Sequence, residues 1–212
     1  RSPLAAGHRV VSIPNPIPGD VFRPMPQAEA REALGLPPGR RLILSAACKV
    51  TDTLKGFRYL QDAVALLEKR AADDAESPLH GAVLLVVGQH SDLQTSLPVI
   101  AVPYVSDERR MAQYYAAADV FVTGSVQENL PNTIAEAMSC GTPCVGFRVG
   151  GIPEMIDHKE NGYVARYRDA QDLAEGIVYC LTHDLREQAA RKAADAYDER
   201  RVAQQYIALH ES

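Results

Sequence analysis

Runs of apolar residues alternate along this chain with segments whose apolar positions recur at helical spacing. Arg41-Leu42-Ile43-Leu44-Ser45-Ala46 reads as a strand, and Ala82 to Val87 as a continuous apolar strand stopped at Gly88. Pro98 to Val102, Asp119 to Val122, Pro143 to Phe147 and the short Gly162 to Ala165 continue the series. Between them, Phe57 to Lys69 carries Phe57, Leu60, Val64 and Leu67 on one helical face. Asp107 to Ala118 does the same with Met111, Tyr114, Tyr115 and Ala118, and Asp172 to Leu181 with Leu173, Ile177, Cys180 and Leu181. A further helix begins near Pro131, and Gln27 to Leu36 predicts a short one closed by Pro37-Pro38-Gly39. The dense charge run over 184–201 reads as the solvated face of a terminal helical region that turns apolar at Val202, Tyr206 and Leu209.

Strands that are apolar throughout, rather than alternating, are buried on both faces. With helices between them they predict an α/β domain of Rossmann-like type: a parallel sheet with helices on both faces. Such sheets bind ligands outside the carboxyl ends of their strands. The chemistry is therefore expected just after Ala46, Gly88, Val102, Val122 and Phe147. Ahead of the first helix, Arg9 to Ile13 alternates weakly, and the prolines at 14, 16 and 18 enforce a turn or linker. The expected organisation is a lead-in over 1–24, a ligand-binding domain over 25–195 and a C-terminal helix over 196–212.

Composition changes this picture little. Hydrophobic residues make up 46% and charged residues 23%, as in an ordinary globular domain, and 212 residues suffice for one domain with a real core. A net charge of −5 speaks against a nucleic-acid partner. No apolar run reaches the roughly 20 residues that span a bilayer, and no secretory signal pattern is present. The four cysteines (Cys48, Cys140, Cys144 and Cys180) lack CxxC and zinc spacing and read as reduced cytosolic thiols. The start at Arg1, without Met and in a Pro-rich stretch, reads as a piece of a longer protein.

The best candidate site follows the Asp119–Val122 strand, in Ser125-Val126-Gln127-Glu128-Asn129-Leu130-Pro131-Asn132-Thr133-Ile134-Ala135-Glu136-Ala137-Met138. Pro131 suits the first turn of a helix, where its missing N–H would be unpaired anyway. The loop and helix start then offer free N–H groups and a positive dipole end, which suit a phosphate. On the wheel Ile134, Ala137 and Met138 share one face, and Asn132, Glu136 and Ser139 lie opposite. From there a carboxylate can accept bonds from ribose hydroxyls. The same wheel also reads Glu136 as a solvent-exposed residue of an amphipathic helix, and Glu128 as a charged loop residue. Two weaker candidates are Lys55-Gly56, whose ammonium could meet a diphosphate or only solvent, and Gly150-Gly151-Ile152-Pro153-Glu154, a tight turn that brings backbone close to a ligand or merely to a neighbouring loop. GxxxxGK[ST], GxGxxG and GxSxG motifs and paired histidines are all missing, which removes the P-loop, the usual NAD fingerprint, the nucleophile elbow and a histidine metal site.

Taken in order, Ile13-Pro14-Asn15 with Val21-Phe22-Arg23-Pro24, Lys55-Gly56-Phe57, Leu84 to Gly88, Ala118-Asp119-Val120, Glu128 to Pro143, Gly150 to Glu154 and Asn161-Gly162-Tyr163 resemble the C-terminal domain of the group 1, or family-four, retaining glycosyltransferases. The stretch from Glu128 to Gly162 is similar to the branch that builds bacterial surface polysaccharides. The resemblance implies the C-terminal half of a GT-B fold, with a nucleotide-diphosphate sugar (UDP- or GDP-linked) as partner and the acceptor mostly on an N-terminal domain. It implies no cofactor and no metal, and a cytoplasmic parent, with any membrane contact through the other domain. The family's paired glutamates fall on Glu128, at the donor sugar, and Glu136, at the ribose. Lys55 takes the diphosphate, groups around Asn129, Leu130, Asn132 and Thr133 hold the phosphates, and Tyr104 and Val105 seat the base. Two departures stand out. The arginine common in the loop after the first strand is missing, with Lys49 as its possible substitute, and Pro131 removes an N–H from the phosphate cradle, which Asn132 and Thr133 side chains could compensate. A GT-B-fold epimerase or phosphorylase and a non-catalytic nucleotide-sugar-binding module are the competing readings.

Overall fold

The computed structural model describes residues 7, 10–49, 52–73, 77, 79–89, 95 and 97–211, the side chains of residues 48, 49, 73 and 89 apart. The chain opens into helix α1 (Gln27–Leu34), strand β1 (Leu42–Lys49), a 3-10 turn at Thr53–Lys55 and helix α2 (Phe57–Asp73). Then come β2 (Val83–Gln89), β3 (Val99–Val102), α3 (Glu108–Ala117), β4 (Val120–Val122), α4 (Asn132–Ser139) and β5 (Cys144–Phe147). A short α5 (Ile152–Met155), β6 (Gly162–Ala165), α6 (Ala170–Thr182), α7 (Arg186–Tyr197) and α8 (Glu199–His210) complete it.

The strands form one six-stranded sheet in the order β3-β2-β1-β4-β5-β6, with every neighbouring pair parallel. Alternation along each strand divides the core. Leu42 and Leu44 point, with Val83, Leu85 and Phe121, to the face covered by α1, α3, α4 and α7. Ile43 points, with Leu84, Val86, Val120 and Val122, to the face covered by α2 and α6. Burial on both faces explains why the strands read as unbroken apolar runs. Ile17 and Phe22 of the lead-in are also buried in the first of these layers, and the Ile17 N–H bonds to the Tyr197 carbonyl at 2.9 Å.

The expected strands all form, and the differences lie at their ends. β1 runs on past Ala46 to Lys49, with a register shift against β2 over that stretch. α1 stops at Leu34 because Gly35 takes the left-handed conformation and closes it. The terminal charge run divides into two helices at Asp198, whose carboxylate caps α8 by accepting from the Arg200 and Arg201 N–H groups. Residues 10–13, which alternate weakly, form no strand. Cys140, Cys144 and Cys180 are free thiols buried in the core. Among the described residues no helix is long and apolar enough to cross a membrane.

The amino-terminal edge of the sheet is closed by one carboxylate. Asp119, at the start of β4, accepts from the Leu42 N–H at 2.6 Å and from the Arg31 guanidinium at 2.8 Å, with Arg41 at 3.3 Å. Arg31 is buried and also bonds the Ala117 and Arg40 carbonyls. Removing such a carboxylate strands a buried cation and an N–H together. Asp119→Ala is expected to cost about 3 kcal/mol, read as a lower urea midpoint with an unchanged slope.

Candidate functional site

The sheet order reverses between β1 and β4, whose following loops run in opposite directions. That switch point is where open parallel sheets leave a crevice for ligands. Here the two loops cross in contact. Gly56 (φ +57°) and Gly124 lie so close that a Cβ on either would run into the other's carbonyl oxygen. The Val126 N–H bonds to the Leu54 carbonyl at 2.9 Å, and the Tyr167 hydroxyl to the Val126 carbonyl at 3.1 Å. This stitching brings Lys55 to Glu128: Nζ lies 2.7 Å from Oε1, with the Glu128 side chain 12% exposed and that of Lys55 42%.

The next stretch is clamped from β5. The Gly151 N–H bonds the Asn129 carbonyl at 2.6 Å, and Gly150 turns with φ +55°. A Cβ on Gly150 would strike the Glu128 carbonyl, and one on Gly151 the Asn129 carbonyl and the Leu130 side chain. The glycine turn thus approaches a neighbouring loop, and that loop is the one bearing Glu128. Leu130 packs against the core while Asn129 is exposed. Pro131 is the N-cap of α4 rather than a member of its first turn, because its ψ of 115° is extended, and no side chain caps the helix. The Asn132 carbonyl oxygen Oδ1 accepts from the Asn15 amide at 3.1 Å, so this side chain ties α4 to the lead-in.

α4 buries Ile134, Ala135, Ala137 and Met138. The wheel's reading of Glu136 as solvent-exposed is corrected by the packing: α3 lies against α4, so Glu136 is half-buried, and its Oε2 accepts from the Tyr115 hydroxyl at 2.9 Å. Burial lifts the Glu136 pKa above the usual carboxylate range; the Tyr115 bond pulls it down, and the Glu108 charge adds to the rise. Glu136 lines a cleft of about 290 Å³ together with Tyr115, Thr133, Tyr104 and Val105. Four of the expected residues (Glu136, Thr133, Tyr104 and Val105) therefore meet in one cavity. Lys55 and Glu128 form a separate pair at the neighbouring loop crossing, and the Lys49 side chain lies outside the described residues. Tyr115 was expected only as part of an apolar helix face. The signal for more was its hydroxyl, since a buried tyrosine needs a partner for its O–H.

Residues 41–183 match the family model described as glycosyl transferases group 1. Of the curated proteins, N-acetyl-alpha-D-glucosaminyl L-malate synthase of Bacillus anthracis is 28% identical over 61% of this chain and 37% of its own length. D-inositol 3-phosphate glycosyltransferase 2 of Catenulispora acidiphila is 31% identical over 81% of this chain and 42% of its own. This chain thus spans less than half the length of these relatives. Of the solved structures, Anabaena Alr3699/HepE in complex with UDP-glucose superposes with a TM-score of 0.74 at 21% identity, over 98% of this chain and 60% of that one. That likeness establishes the shared fold.

A carboxyl whose folded-state pKa lies above its unfolded value favours the folded state when protonated. Its contribution is present at acid pH and is lost as the pH rises through the folded pKa. Glu136→Gln removes the buried charge while keeping an acceptor for Tyr115. It is expected to raise the thermal midpoint by about 1–3 °C at about pH 7, with the gain vanishing towards about pH 4. Thermal denaturation across this range checks it, and a loss of stability at neutral pH would contradict it.

Proposed function

The chain belongs to the group 1 glycosyltransferase family, and we propose that it is the donor-binding half of a retaining enzyme that moves a sugar from a nucleotide-diphosphate donor, UDP- or GDP-linked, to an acceptor held mostly by another domain of the parent protein. The observation that carries this reading is the layout around α4: a helix start with no capping side chain, flanked by the Lys55–Glu128 pair and by Glu136 in its cleft, at the switch point of the sheet.

Each group then has one task. The first N–H groups of α4, with the positive end of its dipole, receive the phosphates. Lys55 exchanges Glu128 for the diphosphate and neutralises the leaving group. That exchange frees the Glu128 carboxylate beside the sugar, where it stabilises positive charge growing at the anomeric carbon. Glu136 accepts the ribose hydroxyls through Oε1, its Oε2 being taken by Tyr115. Tyr104 and Val105 flank the base. Asn132 and Thr133 stand at the phosphate end, with Thr133 facing the cleft. The preorganised charges do this without a metal ion in the proposed scheme, and the product belongs to polysaccharide or glycoconjugate synthesis.

Titration calorimetry with UDP and GDP tests the assignment. Glu136→Ala is expected to weaken the preferred nucleotide by about tenfold or more. Glu128→Gln is expected to bind it at least as tightly as wild type, because the neutral amide no longer competes for Lys55. The same Gln variant in the full-length parent should lose transfer by about 100-fold or more. Unchanged affinity in Glu136→Ala would remove the ribose assignment.

A further inference from the structure

Tyr115 is 1% exposed, and its ring is wedged between Phe22 (centroids 6.3 Å apart) and Phe121 (5.7 Å, edge-on). Its backbone is held as well, since the Thr142 hydroxyl donates to the Tyr115 carbonyl at 2.6 Å. The ring has one low-energy place to sit, so its hydroxyl is a fixed donor. It points at Glu136 Oε2 from 2.9 Å. Glu136 by contrast lies on a long, flexible side chain at the wall of a cleft, and among the described residues no cation forms an ion pair with it.

We propose that Tyr115 is a positioning residue for ligand binding: it occupies one oxygen of Glu136 and so presents the other, in a single orientation, to the ribose hydroxyls of the nucleotide. The proposal rests on the ribose reading of Glu136 given above. Holding the carboxylate in its bound orientation beforehand removes the ordering cost that a free side chain meets on binding. It also preserves acceptor capacity. Two ribose hydroxyls are held more strongly by a carboxylate, which only accepts and carries a charge, than by a carboxylic acid, which has given one acceptor site to its own proton. Among the described residues, the titratable groups that act on Glu136 or feel its charge are Tyr115 and Glu108 from α3 and Cys140 at the end of α4. Burial and Glu108 favour its protonation, and the Tyr115 hydroxyl opposes it. Burial, with the Glu136 charge beside it, lifts the Tyr115 pKa well above its usual range, so the phenol remains the donor.

The test uses Tyr115→Phe, with UDP, GDP and their 2′-deoxy counterparts as probes in calorimetry, and a carbon-13 carboxyl titration of Glu136. Affinity for the preferred ribonucleotide is expected to fall roughly tenfold. Affinity for its 2′-deoxy form should fall less, so the preference for ribose narrows, and the Glu136 titration midpoint should move to higher pH. A purely structural tyrosine would lower the melting temperature and leave that preference intact. Wild-type affinity and ribose preference in Tyr115→Phe, alongside weakened binding in Glu136→Ala, would overturn the proposal alone. Wild-type binding in Glu136→Ala would instead overturn the ribose reading beneath it. If the Phe variant does not fold, replacing Tyr115 with 3-fluorotyrosine keeps the ring and sharpens the donor. The Glu136 midpoint must then fall, and an unmoved midpoint rejects the proposal.

Discussion

Six parallel strands covered on both faces leave no space for a charge in the body of the sheet, so charged groups are confined to the strand ends and the outer faces of the helices. The strands carry none before Lys49, the last residue of β1. The rest of the architecture follows from that exclusion. Loops at the two edges carry the polar chemistry, and the order of the strands decides which loops become neighbours. Because β1 and β4 are adjacent while their chains continue in opposite directions, the loops bearing Lys55 and Glu128 cross in space.

The two edges of the sheet use carboxylates differently. At the amino-terminal edge Asp119 is surrounded by donors from the protein, both of its oxygens engaged. A saturated carboxylate holds elements together and has little to offer a ligand. At the other edge Glu128 meets one ammonium, which is itself 42% exposed, and Glu136 meets one phenol at a cleft wall. These partners orient the carboxylates and leave capacity for further bonds. The glycines supply the remaining requirement. Gly56 against Gly124, and Gly150 and Gly151 against the 128–130 loop, let backbones approach at distances that a side chain forbids. The loops of the site are thus packed directly on each other.

Much of this was legible in the chain. The strands announce themselves through Leu42-Ile43-Leu44 and Val83 to Val87, and the carboxyl-edge rule points to the loops after Ala46 and Val122. The Gly150-Gly151 turn declared a close approach without naming its neighbour. Glu136 was the clearest limit of the helical wheel. A wheel sorts residues against one buried side, whereas α4 is covered by the sheet below and by α3 at its flank. The polar face is therefore not the same thing as the solvent face.

The sequence by itself determined the α/β class, the parallel sheet and the motif that places two glutamates on and before one helix, since these depend on local periodicity and on short-range spacing. Only the tertiary structure decided what each glutamate touches. Lys55 reaches Glu128 from 73 positions away and Tyr115 reaches Glu136 from 21. Those meetings depend on strand order and helix packing, which sum contributions from the whole core; a residue such as Tyr115 signals locally that it needs a partner, and not which one.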